Sequence, residues 1–143
     1  MGWWDSHLHA FDINDKRYVM SGLDQWDDFP DDIVEDRIKI AKLVSVGDTF
    51  VYQYDFGDNW EHLVEVEAIT PVDVALTHAT CVGGARSCPP EDVGSTHGYE
   101  QFLSVLADPT DEEHEHYMEW SGGHFDAESF DLSDVNARLQ RVR

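Results

Sequence analysis

Tyr54-Asp55-Phe56-Gly57-Asp58-Asn59-Trp60-Glu61-His62 is the stretch that decides how this chain folds. On its N-terminal side Phe50, Tyr52, Tyr54 and Phe56 alternate with Thr49, Val51, Gln53 and Asp55, the two-residue period of a strand with one aromatic face. Gly57-Asp58-Asn59 supplies turn chemistry, because glycine accepts positive φ and Asp and Asn side chains bond back to nearby backbone. Beyond the turn, Trp60, His62, Val64 and Val66 alternate with Glu61, Leu63, Glu65 and Glu67, so a second strand leaves it. The pattern predicts a β-hairpin filling Thr49 to Ile69. The kinase-like triplet Asp55-Phe56-Gly57 is a coincidence, since a kinase also needs a catalytic loop, a glycine-rich loop and a far longer chain.

Working outward, Cys88-Pro89-Pro90-Glu91-Asp92 is a loop: two consecutive prolines exclude both a helix interior and a central strand. Gly94-Ser95-Thr96 leads into a helix predicted over His97 to Ala107, with Tyr99, Phe102, Leu103 and Leu106 as its core-facing stripe. Toward the N-terminus, His7 to Ile13 reads as a strand that pairs with Arg17 to Met20 across an Asn14-Asp15 turn. Ser21 to Asp32 is an Asp-rich loop broken by Pro30. Arg37 to Ile40 reads as a further strand, and Ala41 to Val46 as a short turn or helix. Pro71 to Ser95 is a long irregular connection, a length that inside a compact domain suggests a functional loop. Helices are expected at Asp111 to Trp120 and Ser133 to Arg141, the former opened by a capping box at Thr110-Asp111-Glu112-Glu113. Strands first and helices later indicate an α+β fold: an antiparallel sheet with a central β-hairpin, packed by C-terminal helices in a single domain.

Tyr-Asp-Phe-Gly-Asp-x-Trp-x-His over 54–62, Cys81, Cys88-Pro89-Pro90-Glu91-Asp92 and Gly98-Tyr99-x-x-Phe102-Leu103 together resemble the plasmid pRiA4b ORF-3-like family, also labelled insertion-element passenger TnpR proteins. Trp3-Trp4-Asp5-Ser6-His7-Leu8-His9-Ala10-Phe11 is similar to that family's N-terminal element, and Phe130 to Leu139 to its closing helix. The resemblance spans nearly the whole chain. It implies association with mobile elements and names no reaction. It also implies about forty further residues ahead of Met1, so the chain is read as an N-terminally shortened member, 1–143, lacking the family's first strands and helix. Val93 stands where the family tends to have a third Cys, and Gly94-Ser95 where it has a Gly-Gly pair, which weakens any reading that needs three thiolates.

With 143 residues and 41% hydrophobic content, a core of useful size is expected. There is no apolar run of the roughly 18 residues that a membrane span needs, and Met1-Gly2-Trp3-Trp4-Asp5 is no signal peptide. A cytoplasmic location is therefore expected, and two cysteines suit a reduced compartment. Nine basic residues face thirty acidic ones, for a net charge of −21. Acid spread this evenly, with Lys16, Lys39 and Lys42 the only lysines, resembles adaptation to a salt-loaded cytoplasm, where self-repulsion is screened. An ordinary acidic protein and a binder of a basic partner are the alternatives. The same charge argues against nucleic acid, whose phosphates are held by Lys and Arg. Arg138, Arg141 and Arg143 more simply complement a helix C-terminus. Nothing supports a resolvase, since no basic DNA-reading helix and no arginine-ringed serine is present.

Three groups of side chains invite chemistry. The imidazoles of His7 and His9 share a strand face, yet Phe11 and Ile13 share it too, which favours an aromatic-lined pair over a chelate. His62 sits beside Trp60 and Val64 as a core histidine would, and His114 and His116 lie on different faces of an acidic helix. Cys81, Cys88 and His97, with His78, outline a metal knuckle, although paired zinc thiolates are usually two to four residues apart and buried free thiols are the plainer reading. The carboxylates form the third group. If the Pro-Pro loop folds over the hairpin, Asp55, Asp58, Trp60, His62, Glu91, Asp92, His97 and Tyr99 would converge in one pocket, which a divalent metal and hydrolytic chemistry would suit. Turn-forming and helix-capping work is the competing account of the same acids.

The leading expectation is a small accessory module that binds a protein partner, does no catalysis of its own and needs no cofactor. Its tryptophans, Trp3, Trp4, Trp26, Trp60 and Trp120, would suit an interaction surface. Unpaired sheet edges would invite self-pairing into a homo-oligomer or addition of a partner strand. A metal-binding protein or metal-dependent hydrolase built on Asp55, Asp58 and the Pro89-Pro90-Glu91-Asp92 loop is the alternative.

Overall fold

Asn14 and Asp15 both adopt left-handed φ, 52° and 59°, the two-residue hairpin turn that Asn and Asp tolerate best. They join β1 (His9–Ile13) to β2 (Lys16–Val19) in the register Phe11↔Tyr18 and Ile13↔Lys16. The computed structural model describes residues 2–23, 31–71 and 78–141. The Asp-rich heart of the loop expected over Ser21 to Asp32, with Trp26 and Pro30, lies outside the described residues, as do residues 72–77 of the long connection.

The second hairpin forms where the alternation predicts it. β4 (Thr49–Tyr54) and β5 (Trp60–Glu65) pair antiparallel with Phe50↔Val64, Tyr52↔His62 and Tyr54↔Trp60, so one face is aromatic across both strands. At the turn Asp55 and Asn59 take φ of 55° and 56°. Asp55 Oδ1 accepts the backbone N–H of Gly57 at 2.9 Å and of Asp58 at 3.3 Å, so its carboxylate builds the turn. β1 then pairs antiparallel with β4, aligning Phe11 with Tyr52. The five-stranded sheet runs β3-β2-β1-β4-β5, with β3 (Ile33–Val34) parallel to β2.

The strand expected at Arg37 to Ile40 does not form. Glu35 N–H donates to Val19 O and Ile38 N–H to Glu35 O, so the chain turns over the sheet once Val34 has paired. Ile38 joins the core while Ile40 opens a one-turn 3-10 helix, Ile40–Lys42, and is 49% exposed. One sheet face thus buries Ile13, Tyr18 and Phe50 beneath Phe11, Ile38, Leu43 and Val64. The other buries Ala10, Val19 and Leu23 with Met20 and Phe56.

The described chain divides into two compact units: this sheet, Asp5–Pro71, and a helical unit bounded as Met1–Trp4 with Val72–Arg143. The latter holds α1 (Ser95–Ala107), α2 (His114–Trp120) and α3 (Leu132–Leu139), which completes an α+β fold. Phe102 is fully buried, its ring within 5.1–5.7 Å of Phe125, Tyr117 and Trp120 in edge-on contacts. Val105 is the second buried position of α1, whereas Tyr99, Leu103 and Leu106 are half-buried. The capping box expected at Thr110 is absent. Thr110 turns back instead, its hydroxyl and N–H both donating to Asp108 Oδ1, while Asp111 Oδ1 accepts from Glu113 N–H, so α2 starts only at His114. Those bonds from Thr110 also hold the Asp108 carboxyl below its ordinary range. α3 is capped by Asp131, whose Oδ1 accepts from Ser133 and Asp134 N–H.

Candidate functional site

Strand alternation puts His9, Phe11 and Ile13 on one face of β1, and register brings Tyr52 of β4 and His62 of β5 into line with them. The ring centroids of His9 and Tyr52 are 5.8 Å apart, those of Phe11 and Tyr52 5.0 Å, and those of Tyr52 and His62 5.6 Å. Glu35, carried over this face by the turn after β3, places Oε1 2.9 Å from His9 Nε2. The imidazole therefore donates from Nε2. His9 Nδ1 and Glu35 Oε2 are both buried without a hydrogen-bond partner among the described residues. Asp5 Oδ1 approaches His9 Nδ1 only to 3.9 Å, too far for a hydrogen bond. Burial, with the nearby negative charges of Asp5 and Glu35, pushes the Tyr52 hydroxyl up to about 12, so it stays a proton donor at neutral pH.

Beside Glu35 a cleft of about 360 Å³ opens between the sheet and the segment that follows β3. Phe11, Ile13, Tyr18, Ile38, Ile40 and Leu43 form its walls, and Glu35 and Asp36 supply carboxylates. Apolar walls with a few polar groups are the usual make-up of a ligand site, and this volume lies at the small end of the roughly 300–1,000 Å³ range. Neither Glu35 nor Asp36 stands out in the sequence, because an acidic pair is unremarked in a chain with thirty acids.

The residues singled out from the sequence divide between the units. In the sheet unit, Asp55 is buried in the hairpin turn with Oδ2 3.7 Å from His7 Nδ1, and Asp58 donates to it through its backbone. Trp60 faces Tyr54 across the hairpin, and His62 Nδ1 donates to Tyr52 O at 3.1 Å. In the helical unit, Glu91 Oε1 accepts Trp4 N–H at 2.7 Å, and Trp3 Nε1 donates to Pro89 O at 2.9 Å. Asp92 and His97 are exposed, and burial pushes the Tyr99 hydroxyl up. Cys81 is bound through its backbone to the Asn136 side chain on α3, and Cys88 lies against Gly2, its thiol pushed up by burial. Ligand atoms of Cys81, Cys88 and His97 do not gather within 4.8 Å of one another. No helix among the described residues is long and apolar enough to cross a membrane.

The family model for plasmid pRiA4b ORF-3-like protein matches residues 1–134. Uncharacterized protein y4hQ of Sinorhizobium fredii (strain NBRC 101917 / NGR234) is 36% identical over 141 residues, spanning 95% of this chain and 70% of that protein. The fold is similar to the crystal structure of the protein of unknown function MM3350 from Methanosarcina mazei Go1. The TM-score is 0.78 at 33% sequence identity, covering 92% of this chain and 74% of that one.

Proposed function

The chain belongs to the plasmid pRiA4b ORF-3-like protein family, and we propose that it is a small cytoplasmic accessory module, carried by mobile elements, that binds a protein partner and does no catalysis of its own. The observation that carries this reading is the apolar cleft with Glu35 and Asp36 at its side. Such a cleft suits an apolar anchor with positive charge next to it, and the net charge of −21 would draw a basic segment toward the surface. Nucleic acid is a poor occupant, since its phosphates would meet the same carboxylates. A second copy is also disfavoured along β5, where Glu61 and Glu65 would face their own kind. The acid-rich, lysine-poor composition fits a salt-loaded cytoplasm, so the binding experiment belongs at that ionic strength. In the metal-dependent alternative Asp55 would have to serve through Oδ2, because Oδ1 is engaged in building its own turn.

The test compares tagged wild-type protein with Ile40→Glu, a change at a half-exposed wall residue that leaves the core intact. Partners retained from the protein's own cells at native salt are identified by mass spectrometry. A stoichiometric protein held by wild type and lost from the variant is expected. An identical set of partners on both, or none on either, removes the reading.

A further inference from the structure

We propose that the sheet is extended along β5 by a strand of the partner protein whose facing side chains read basic, apolar, basic. The inference rests on the protein-binding reading above and uses a surface apart from the cleft. β5 is an outer strand of the sheet and six residues long, whereas β3, at the opposite edge, has two. Val66 N–H donates to Asp48 O, which fixes the parity of the hairpin: Val64, His62 and Trp60 turn their backbone groups toward β4. The N–H and C=O of Glu61, Leu63 and Glu65 therefore point away from β4, and no backbone hydrogen bond reaches them among the described residues. Edges of this kind are usually blunted by a bulge, a proline or a lysine. Here the pairing runs from Thr49↔Glu65 to Tyr54↔Trp60 without a skipped residue, and Trp60–Glu65 holds neither proline nor lysine.

Side-chain chemistry selects the strand. Glu61, Leu63 and Glu65 share one face and are exposed, Leu63 to 76%. Leu63 is aligned with Val51, and with Asp12 and Arg17 they line a groove of about 550 Å³, which leaves room for a further apolar side chain. The glutamates flanking that position repel a like-charged strand and favour lysine or arginine directly opposite. In a chain of net charge −21 they keep copies of this edge apart while admitting a basic strand. On the other face the added strand would meet half-buried His62 and Val64, against which β-branched side chains pack well. The segment that fits lies antiparallel to Glu61–Glu65, basic at both ends, apolar in the middle and β-branched between.

The experiment follows amide hydrogen exchange by NMR on the full chain, titrated with the end-capped peptide Lys-Val-Ile-Val-Lys. In the free protein the amides of Glu61, Leu63 and Glu65 should exchange fast, and the peptide should slow all three saturably. Glu-Val-Ile-Val-Glu should bind about tenfold more weakly, because both end pairs become repulsive. The lysine peptide N-methylated at its isoleucine keeps every charge but loses the N–H that bonds Leu63 O, and should also bind about tenfold more weakly. Leu63→Pro removes an outward N–H while sparing the bonds to β4, and should weaken the lysine peptide to a similar extent. Should Leu63→Pro fail to fold, the methylated peptide on wild type still decides. Equal binding of the methylated peptide would overturn strand addition in favour of charge attraction alone. Slow exchange at Glu61, Leu63 and Glu65 in the free protein, or no change with any peptide, overturns it as well. A cellular partner kept by Leu63→Pro but lost from Ile40→Glu would leave the protein-binding reading standing without the added strand.

Discussion

Glu35 Oε1 lies 2.9 Å from His9 Nε2 although the two residues are 26 positions apart, and each keeps its second polar atom buried and without a hydrogen-bond partner among the described residues. The contact fastens the segment after β3 to the first strand of the sheet. It also makes the pair a sensitive point, since removing either member leaves the other's polar group stranded.

Glu35→Ala should therefore destabilise the protein by about 1 to 3 kcal/mol, the usual penalty for an unsatisfied buried polar group. Replacing both residues, His9→Leu with Glu35→Leu, should cost less than the sum of the single changes. Urea unfolding of the four proteins measures the coupling. Strictly additive single effects would show that the two side chains do not depend on each other.

Tyr52 should ionise near 12 in the folded protein, about two units above a free tyrosine. The unfolded chain loses this proton first as pH rises past about 10, so the folded state binds more protons between roughly 10 and 12. Stability from this group is thus complete below about pH 10 and is lost as pH climbs toward 12. Ultraviolet titration of wild type against Tyr52→Phe isolates the transition. A Tyr52 signal titrating with the exposed tyrosines would contradict the burial of its hydroxyl.

Asp55→Ala removes the acceptor for two backbone N–H groups and places alanine at a φ of 55°. A loss of about 2 kcal/mol is expected, as for hydrogen bonds to a charged group. Asp55→Asn, which tolerates the same φ, should recover much of it. Thermal unfolding by circular dichroism, paired with elemental analysis, tests this. A fall in bound metal with unchanged melting would instead place Asp55 in a ligand set.

Gly98→Ala should be among the most damaging single-methyl changes in the chain. A Cβ there would sit 2.0 Å from Val93 O, a backbone atom that cannot swing aside. The expected cost is about 1 to 3 kcal/mol or more, seen as faster hydrogen exchange along α1. Gly83→Ala, which meets nothing within 4 Å, is the control and should leave exchange unchanged.

Much of the fold was legible because it is local. The alternation through Phe50, Tyr52 and Tyr54 and the Asn14-Asp15 turn each encode a hairpin within a few residues, and both form in register. The misreadings share a cause. Ile38 and Ile40 alternate as a strand would, but pairing is settled by what lies alongside, and Ile33–Val34 reaches β2 first. Thr110 has a capping residue's chemistry, yet Asp108, two positions away, competes for its hydroxyl and N–H and wins. His9 and His62 were visible as histidines on aromatic faces, whereas Glu35 was invisible, since its significance depends on a turn that no local pattern announces.

By itself the sequence determined the two hairpins, the aromatic sheet face, the three helices and the surplus of acid, all of which follow from period, turn residues and composition. Only the tertiary structure decided that β1 lies against β4, that Glu35 meets His9, and that Ile38 and Ile40 wall a cleft beside the carboxylates. The physical reason is range. Residues a few positions apart are brought together by the backbone's own geometry, but partners dozens of positions apart meet only when burial of apolar surface outweighs the entropy of closing the chain between them.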